Sequence, residues 1–490
     1  MKQYLKQLFS DSAAFAIATI GNKLVAAMLV PIFTRNLNET GQLADWGITN
    51  NYTLILTYLC LLGTDAAMAF YFYDAKDKRE RKIYLTNAIL FSAGTCFLIS
   101  FIALLVGDRV ALVLYKTNQD YSLLLFVATL ATLFAIIIQH LLGYARYSRR
   151  VWLFNIFSMS YVMGSSLLSV CFVIMGKGVL GLFYGQLIGQ GIVCIILLVL
   201  FRREFVFQFS KKHLRDLIGY GAPLLPTLVS FWVMTSVSQP IVYYLASIHH
   251  ADIYAACLRL ASMIVLITAP FQLAWRPFSM SIKDRSDAKE LYGLVGRGLL
   301  VLGSLTIMLL TFFMKPLYQL FIGRPDLETG YLYVWALSFG TLLNVLHTVF
   351  GVGLLIKKQT KKISKAFLIA AVIYLFGNLI FVPLYAIWGA VTMTVVAYLT
   401  VIILVYIQNQ KIYPVPFRFP SMIIYLAVYL TMMIGVTWIQ ANHLPNQWIY
   451  YLIIFTIMVI TVFVTKLFTL QSLNRIGSFL PKLSGKGERW

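Results

Sequence analysis

The chain has 490 residues, of which 60% are hydrophobic and 12% charged, with a formal net charge of +22. Soluble domains carry about 25% charged residues, so a water-soluble globular protein is excluded and a polytopic membrane protein is expected. The positive excess does not indicate nucleic acid, because the basic residues sit in short links between apolar runs rather than on one face of a soluble domain.

Fourteen apolar runs approach or exceed the roughly 20 residues needed to cross a bilayer. In chain order they cover about 12–34, 46–73, 83–106, 121–144, 152–175, 179–201, 218–245, 252–275, 291–313, 330–356, 365–383, 386–408, 421–440 and 447–466. Helices are the expected form, since each run must satisfy its own backbone in lipid. The fold class is therefore an all-α integral membrane protein with 14 transmembrane helices. Cys60, Cys96, Cys171, Cys194 and Cys257 all fall inside apolar runs and show no disulfide framework. The basic start, Met1 to Ser10, has no evident cleavage site, so the first helix is expected to be retained.

The links set orientation. Of 40 basic residues, 31 lie at the two termini and in the even-numbered links, six lie in the odd-numbered links, and three fall inside runs. That asymmetry predicts cytoplasmic termini. A weak repeat supports two halves: Pro31-Ile32 is followed by Trp46-Gly47, and Pro240-Ile241 by Tyr254-Ala255. The expected organisation is an N-terminal lobe over 1–201, a cytoplasmic amphipathic linker over 202–217 and a C-terminal lobe over 218–410. Two further helices over 411–466 and a basic tail over 467–490 complete it. Two pseudo-symmetric six-helix lobes are a transporter pattern, with the substrate site between repeats.

The three basic residues that topology does not explain are Lys23, Arg259 and Arg297. A cation at mid-bilayer costs at least about 2.5 kcal/mol and marks function by default. Lys23 stands about 16 Å from either end of the first run, and Arg259 about 10 Å below the outer end of the eighth, at 1.5 Å per residue. Both can reach one aqueous space from opposite halves, as a cationic cavity for an anionic ligand; the bland alternative is neutralisation by Asp65. Arg297, Arg276 and Arg35 are further candidate cavity cations for the ligand; against this, Arg297 can equally snorkel to the inner face, Arg276 beside Trp275 can be an interfacial anchor, and Arg35 can anchor the outer mouth. His140, Gln239 and Asn22 are candidate coupling or polar cavity residues, with Asp65. For histidines inside spans, and for Gln186, Gln190 and Gln239, the bland reading is packing and helix–helix hydrogen bonding. Asp45 and Asp252 begin spans at the outer face, leaving Asp65 the one acidic residue well inside a span. Buried cations without matching carboxylates suit a phosphate ligand. No catalytic or metal-binding spacing is present, so no enzyme activity, metal or cofactor is expected; a coupling ion, Na+ or H+, is left open.

The stretch Gly221-Ala222-Pro223-Leu224-Leu225-Pro226, with Ala251-Asp252-Ile253-Tyr254-Ala255-Ala256, Arg259-Leu260-Ala261-Ser262 and Phe271-Gln272-Leu273-Ala274-Trp275-Arg276-Pro277-Phe278, resembles the polysaccharide transport (Wzx-type) flippases. Val30 to Leu37 and Gly63-Thr64-Asp65-Ala66-Ala67 fit the same family, which belongs to the multidrug/oligosaccharidyl-lipid/polysaccharide exporter superfamily. The resemblance covers about residues 5–465. It implies fourteen helices, two lobes and a central cavity that opens alternately to each side. It also implies transfer of an undecaprenyl-pyrophosphate-linked sugar from the cytoplasmic to the outer leaflet of a bacterial plasma membrane. Cations on the first and eighth helices of such flippases are thought to hold the pyrophosphate, and Lys23 and Arg259 are similar in position. Expected partners are the lipid-linked oligosaccharide, membrane lipids, and the polymerase and glycosyltransferases of the same pathway, with a monomer as the working form. Alternatives are a multidrug or cation antiporter of the same superfamily, a membrane-bound envelope polymerase or transferase, and an assembly scaffold.

Overall fold

A computed structural model describes residues 20–115, 121–206, 208–357 and 359–468, and helix occupies every one of the fourteen expected runs where they are described. The first half comprises α1 (20–36), α2 (Gln42–Leu61 and Thr64–Asp74), α3 (Lys78–Leu114), α4 (Ser122–Tyr147), α5 (Val151–Phe172) and α6 (Gly178–Leu200). The second comprises α7 (Lys211–Gly221, Leu225–Ser236 and Ser238–Leu245), α8 (Ile248–Ala261 and Val265–Ser281), α9 (Ala288–Phe312), α10 (Val334–Phe350), α11 (Thr360–Tyr385) and α12 (Ile387–Ile412). Finally α13 (Phe419–Ala441) and α14 (Gln447–Val464) pack on each other and on α9. No strand occurs among the described residues.

By length and composition alone, ten of the described helical segments can cross a membrane, or eleven if Pro325–Leu332 and Val334–Phe350, bent by 47°, form one span. One of the ten, Val151–Leu200, has 50 residues. At 1.5 Å per residue it would be about 75 Å long, more than twice a bilayer core. It is two spans: Gly176 (φ 80) and Gly178 (φ 54) turn the chain, and α5 and α6 then pack along each other. The described part of α1 and the interrupted α8 account for the other runs. The fold is thus consistent with the fourteen spans.

Several limits differ from the expected ones. Helix α3 extends to Leu114, and α7 begins at Lys211, inside the stretch expected as linker. An additional short helix, Met314–Phe321, precedes α10. Helix α2 breaks where Leu62 (φ 45) and Gly63 (φ 73) take left-handed backbone. That break fits its surroundings, because a Cβ on Gly63 would lie 2.6 Å from the Gly221 carbonyl oxygen of α7. Large apolar side chains such as Leu105, Leu302, Leu384 and Leu452 are exposed on the outside of the bundle, as a lipid-facing surface requires.

The two halves meet through α2. Its first segment packs on α7 and α8, and its second on Lys211–Gly221. The site lies between these contacts.

Candidate functional site

Where α1 and α2 approach α8, the chain supplies its own fastening. Helix α2 starts at Gly41 (φ 95) with no side-chain cap from its own turn. Asp252 of α8 caps it from the other half, accepting the backbone N–H of Gly41 at 2.6 Å and of Ala44 at 2.8 Å. Asp45, one helical residue on, accepts hydroxyl hydrogen bonds from Tyr121 (2.9 Å) and Tyr243 (3.0 Å), the second again across the halves. Both aspartates are buried, Asp45 at 1% and Asp252 at 0% exposure. Carboxylates survive such burial only when hydrogen-bonded. Sequence reading placed them at span starts on the outer face; the structure shows in addition that both are buried between the halves. The sequence signal available for this was the Ser247 to Asp252 link, which lacks any Lys or Arg.

Arg35 and Arg324 extend the same fastening. Arg35 donates to the Leu320 carbonyl at 3.0 Å, and Arg324 to the Leu37 carbonyl at 2.7 Å. Arg35 therefore ties α1 to the segment before α10 and does not line the cavity.

Below this end lies a cavity of about 550 Å³, walled by α1, α2, α5 and α6 on one side and by α7 and α8 on the other. Lys23, Arg259 and Gln239 all line it, so three of the nine residues singled out from sequence converge. Its other polar lining is neutral: Asn50, Asn51, Gln186, Gln190 and several serines, with no carboxylate. Lys23 is exposed to the space. Arg259 donates to the carbonyl of Ala255 at 2.8 Å and lies 3.8 Å over the Trp46 ring. Among the described residues neither cation is in an ion pair, so the proposed neutralisation by Asp65 does not occur. Gln239 sits against Gly47, donates to the Ala44 carbonyl at 3.4 Å and accepts from Asn51 at 3.2 Å. Trp232 in turn donates to the Asn51 carbonyl at 3.2 Å.

The remaining candidates lie elsewhere. Asp65, just after the α2 break, accepts from Gln139 at 3.2 Å. His140 is fully buried, 3.1 Å from the Ser92 hydroxyl. Asn22 donates to the Ser158 hydroxyl at 3.0 Å. Arg297 is buried in α9 with its Nε unpartnered. The side chain of Arg276 lies outside the described residues. Trp46, Asn50 and Asn51 were missed by sequence reading, which treats an aromatic or amide near a span end as ordinary packing.

A cavity of this volume, within the roughly 300–1,000 Å³ of ligand sites, offers two unpaired cations and a neutral polar wall. It can hold an anion with a polar, uncharged attachment. The helices define a multi-pass membrane protein. It superposes on a structure of the lipid II flippase MurJ in an inward closed conformation with a TM-score of 0.71 at 15% identity, covering 92% of this chain and 97% of that one. An inward-facing multidrug resistance MATE family transporter gives 0.56 at 14% identity, over 82% and 93% of the two chains. A Haemophilus influenzae protein of the Lsg locus is 19% identical over 289 residues, 56% of this chain; the chain spans 66% of that relative's length. Residues 72–299 match the family described as polysaccharide biosynthesis protein. The family match over 72–299 points the same way as the resemblance read from the motifs, and the fold is similar to those of MurJ and the MATE transporter.

Proposed function

We propose that the protein is a flippase. It carries an undecaprenyl-pyrophosphate-type lipid-linked oligosaccharide from the cytoplasmic to the outer leaflet of a bacterial plasma membrane. The observation that carries this reading is the convergence of Lys23 and Arg259, one from each half, on one cavity without a carboxylate in its lining. Two unpaired cations at membrane depth call for an anionic ligand, and a diphosphate matches the planar donor fork of arginine. The polyprenyl tail stays in lipid while the headgroup passes through the cavity. The fold shared with a lipid II flippase supports the same class of cargo.

The charge asymmetry of the links supports cytoplasmic termini; on that orientation the Asp252 cap and the Arg324 clasp form the outer gate. Alternating access then requires the two halves to separate there and close at the Gly63–Gly221 contact. The protein works as a monomer. An ion gradient, the membrane potential or downstream consumption of the product drives the cycle, and the product passes to polymerase and transferases of the same pathway. Ligands shift such a cycle only by differential affinity for its two states.

Depletion tests this. Lipid extracts from depleted cells should accumulate a glycosylated polyprenyl diphosphate, with loss of the surface polymer. An unchanged lipid pool together with lowered dye efflux would instead establish the antiporter reading.

A further inference from the structure

We propose that Gln186 and Gln190 of α6 form a subsite for an uncharged sugar in the cavity that Lys23 and Arg259 line; this rests on the flippase reading above. The packing of α6 sets the geometry. A Cβ on Gly185 would lie 2.1 Å from the Ser169 nitrogen of α5, and one on Gly189 2.6 Å from the Ser165 Cα. These glycines let the two backbones touch and fix the rotation of α6. Gln186 and Gln190 each follow one of them, four residues apart, and so share a face. Both line the cavity with Lys23 and Arg259.

Sequence reading assigned these amides to helix–helix hydrogen bonding. The structure gives Gln190 a different character: it is 6% exposed, and its Oε1 has no hydrogen-bond partner. The Trp46 indole N–H at the same cavity is also buried and unpartnered. By contrast, the Gln239 Oε1 accepts from Asn51 and its Nε2 donates to the Ala44 carbonyl. A buried polar atom left unpaired is costly, and a ligand that supplies the partner removes that cost. Amides both donate and accept, which suits hydroxyl and acetamido groups; with no acid or base on α6 at this face, they do not select charge. The cations take the diphosphate and the amides read the first sugar.

The test uses the full chain in lipid nanodiscs and two probes, a polyprenyl diphosphate without sugar and the same lipid bearing one N-acetylhexosamine. The wild type should bind the sugar-bearing probe about tenfold more tightly, the worth of two neutral hydrogen bonds. Gln186→Ala/Gln190→Ala should abolish that ratio. Gln190→Met keeps the side-chain volume, removes the unpaired carbonyl and should fold at least as well; it should lower the ratio about threefold. A wild-type ratio near one, or a ratio retained in either variant, overturns the subsite. Arg259→Ala should weaken both probes alike; if it weakens neither, the anion-binding reading fails independently of the glutamines.

Discussion

The Arg259 guanidinium of α8 rests 3.8 Å above the ring of Trp46 on α2, so the cavity's half-buried cation is positioned by the opposite half. Such a pair is worth about 2 kcal/mol when desolvated. Any motion that parts α2 from α8 must also change the surroundings of Arg259, which links ligand binding to the relation between the halves.

Trp46→Ala should therefore lower both the thermal stability of the purified protein and its affinity for a polyprenyl diphosphate, the latter by about tenfold. Trp46→Phe should recover most of both, because a ring face remains. An affinity unchanged in the alanine variant would show that the ring does not hold Arg259 for its ligand.

Asp252→Asn should loosen the contact between α2 and α8. Asp252 accepts two backbone N–H groups at 2.6 and 2.8 Å, and an amide presents its own N–H₂ to one of them. Loss of one charge-assisted bond costs about 1.5–3 kcal/mol. Spin labels at the α2 start and the α8 start should report a longer distance in the variant. A distribution identical to wild type would contradict the latch.

Gly221→Ala should act at the other end of α2. A Cβ there would lie 2.4 Å from the Leu62 carbonyl oxygen, and overpacking of this kind costs about 1–3 kcal/mol. Lowered thermal stability is expected, with, on the proposed cycle, a slowed transport rate as the sharper consequence, because the backbones of α2 and α7 meet at this contact. Normal stability and rate would mean that the backbones separate without cost.

Glu204 gives a pH dependence outside the membrane. Burial raises its carboxyl, but Arg150 at 2.6 Å and Lys82 at 3.3 Å outweigh burial and hold it below the usual range. A depressed folded value stabilises the protein above the unfolded value of about 4.3, and that stabilisation is lost as pH falls through the folded value. Glu204→Gln should thus lower the melting temperature at pH 7, and its difference from wild type should shrink below pH 4. A constant difference across that range would contradict the ion pairs.

The apolar runs were legible because crossing a bilayer leaves a continuous stretch little freedom in composition. Lys23 and Arg259 were legible for the complementary reason, since a buried charge is conspicuous against such a background. The breaks were not. Leu62 adopts left-handed backbone (φ 45) where Gly221 of another helix packs against it, and no local pattern encodes that partner. Asp45 and Asp252 show a second limit: an acid at the start of an apolar run reads the same whether the helix end meets water or another half of the protein. The amides of α6 show a third, because a glutamine that bonds a neighbouring helix and one that faces a cavity occupy the same position in sequence.

The central claim is that the two cavity cations hold the diphosphate during transfer. Its most direct test is translocation of a fluorescent polyprenyl-diphosphate sugar in vesicles reconstituted with the full chain. Lys23→Ala/Arg259→Ala, correctly inserted, should reduce transfer at least a hundredfold, while Lys23→Arg should retain most of it, because charge is kept. Wild-type transfer by the doubly neutralised protein would contradict the account.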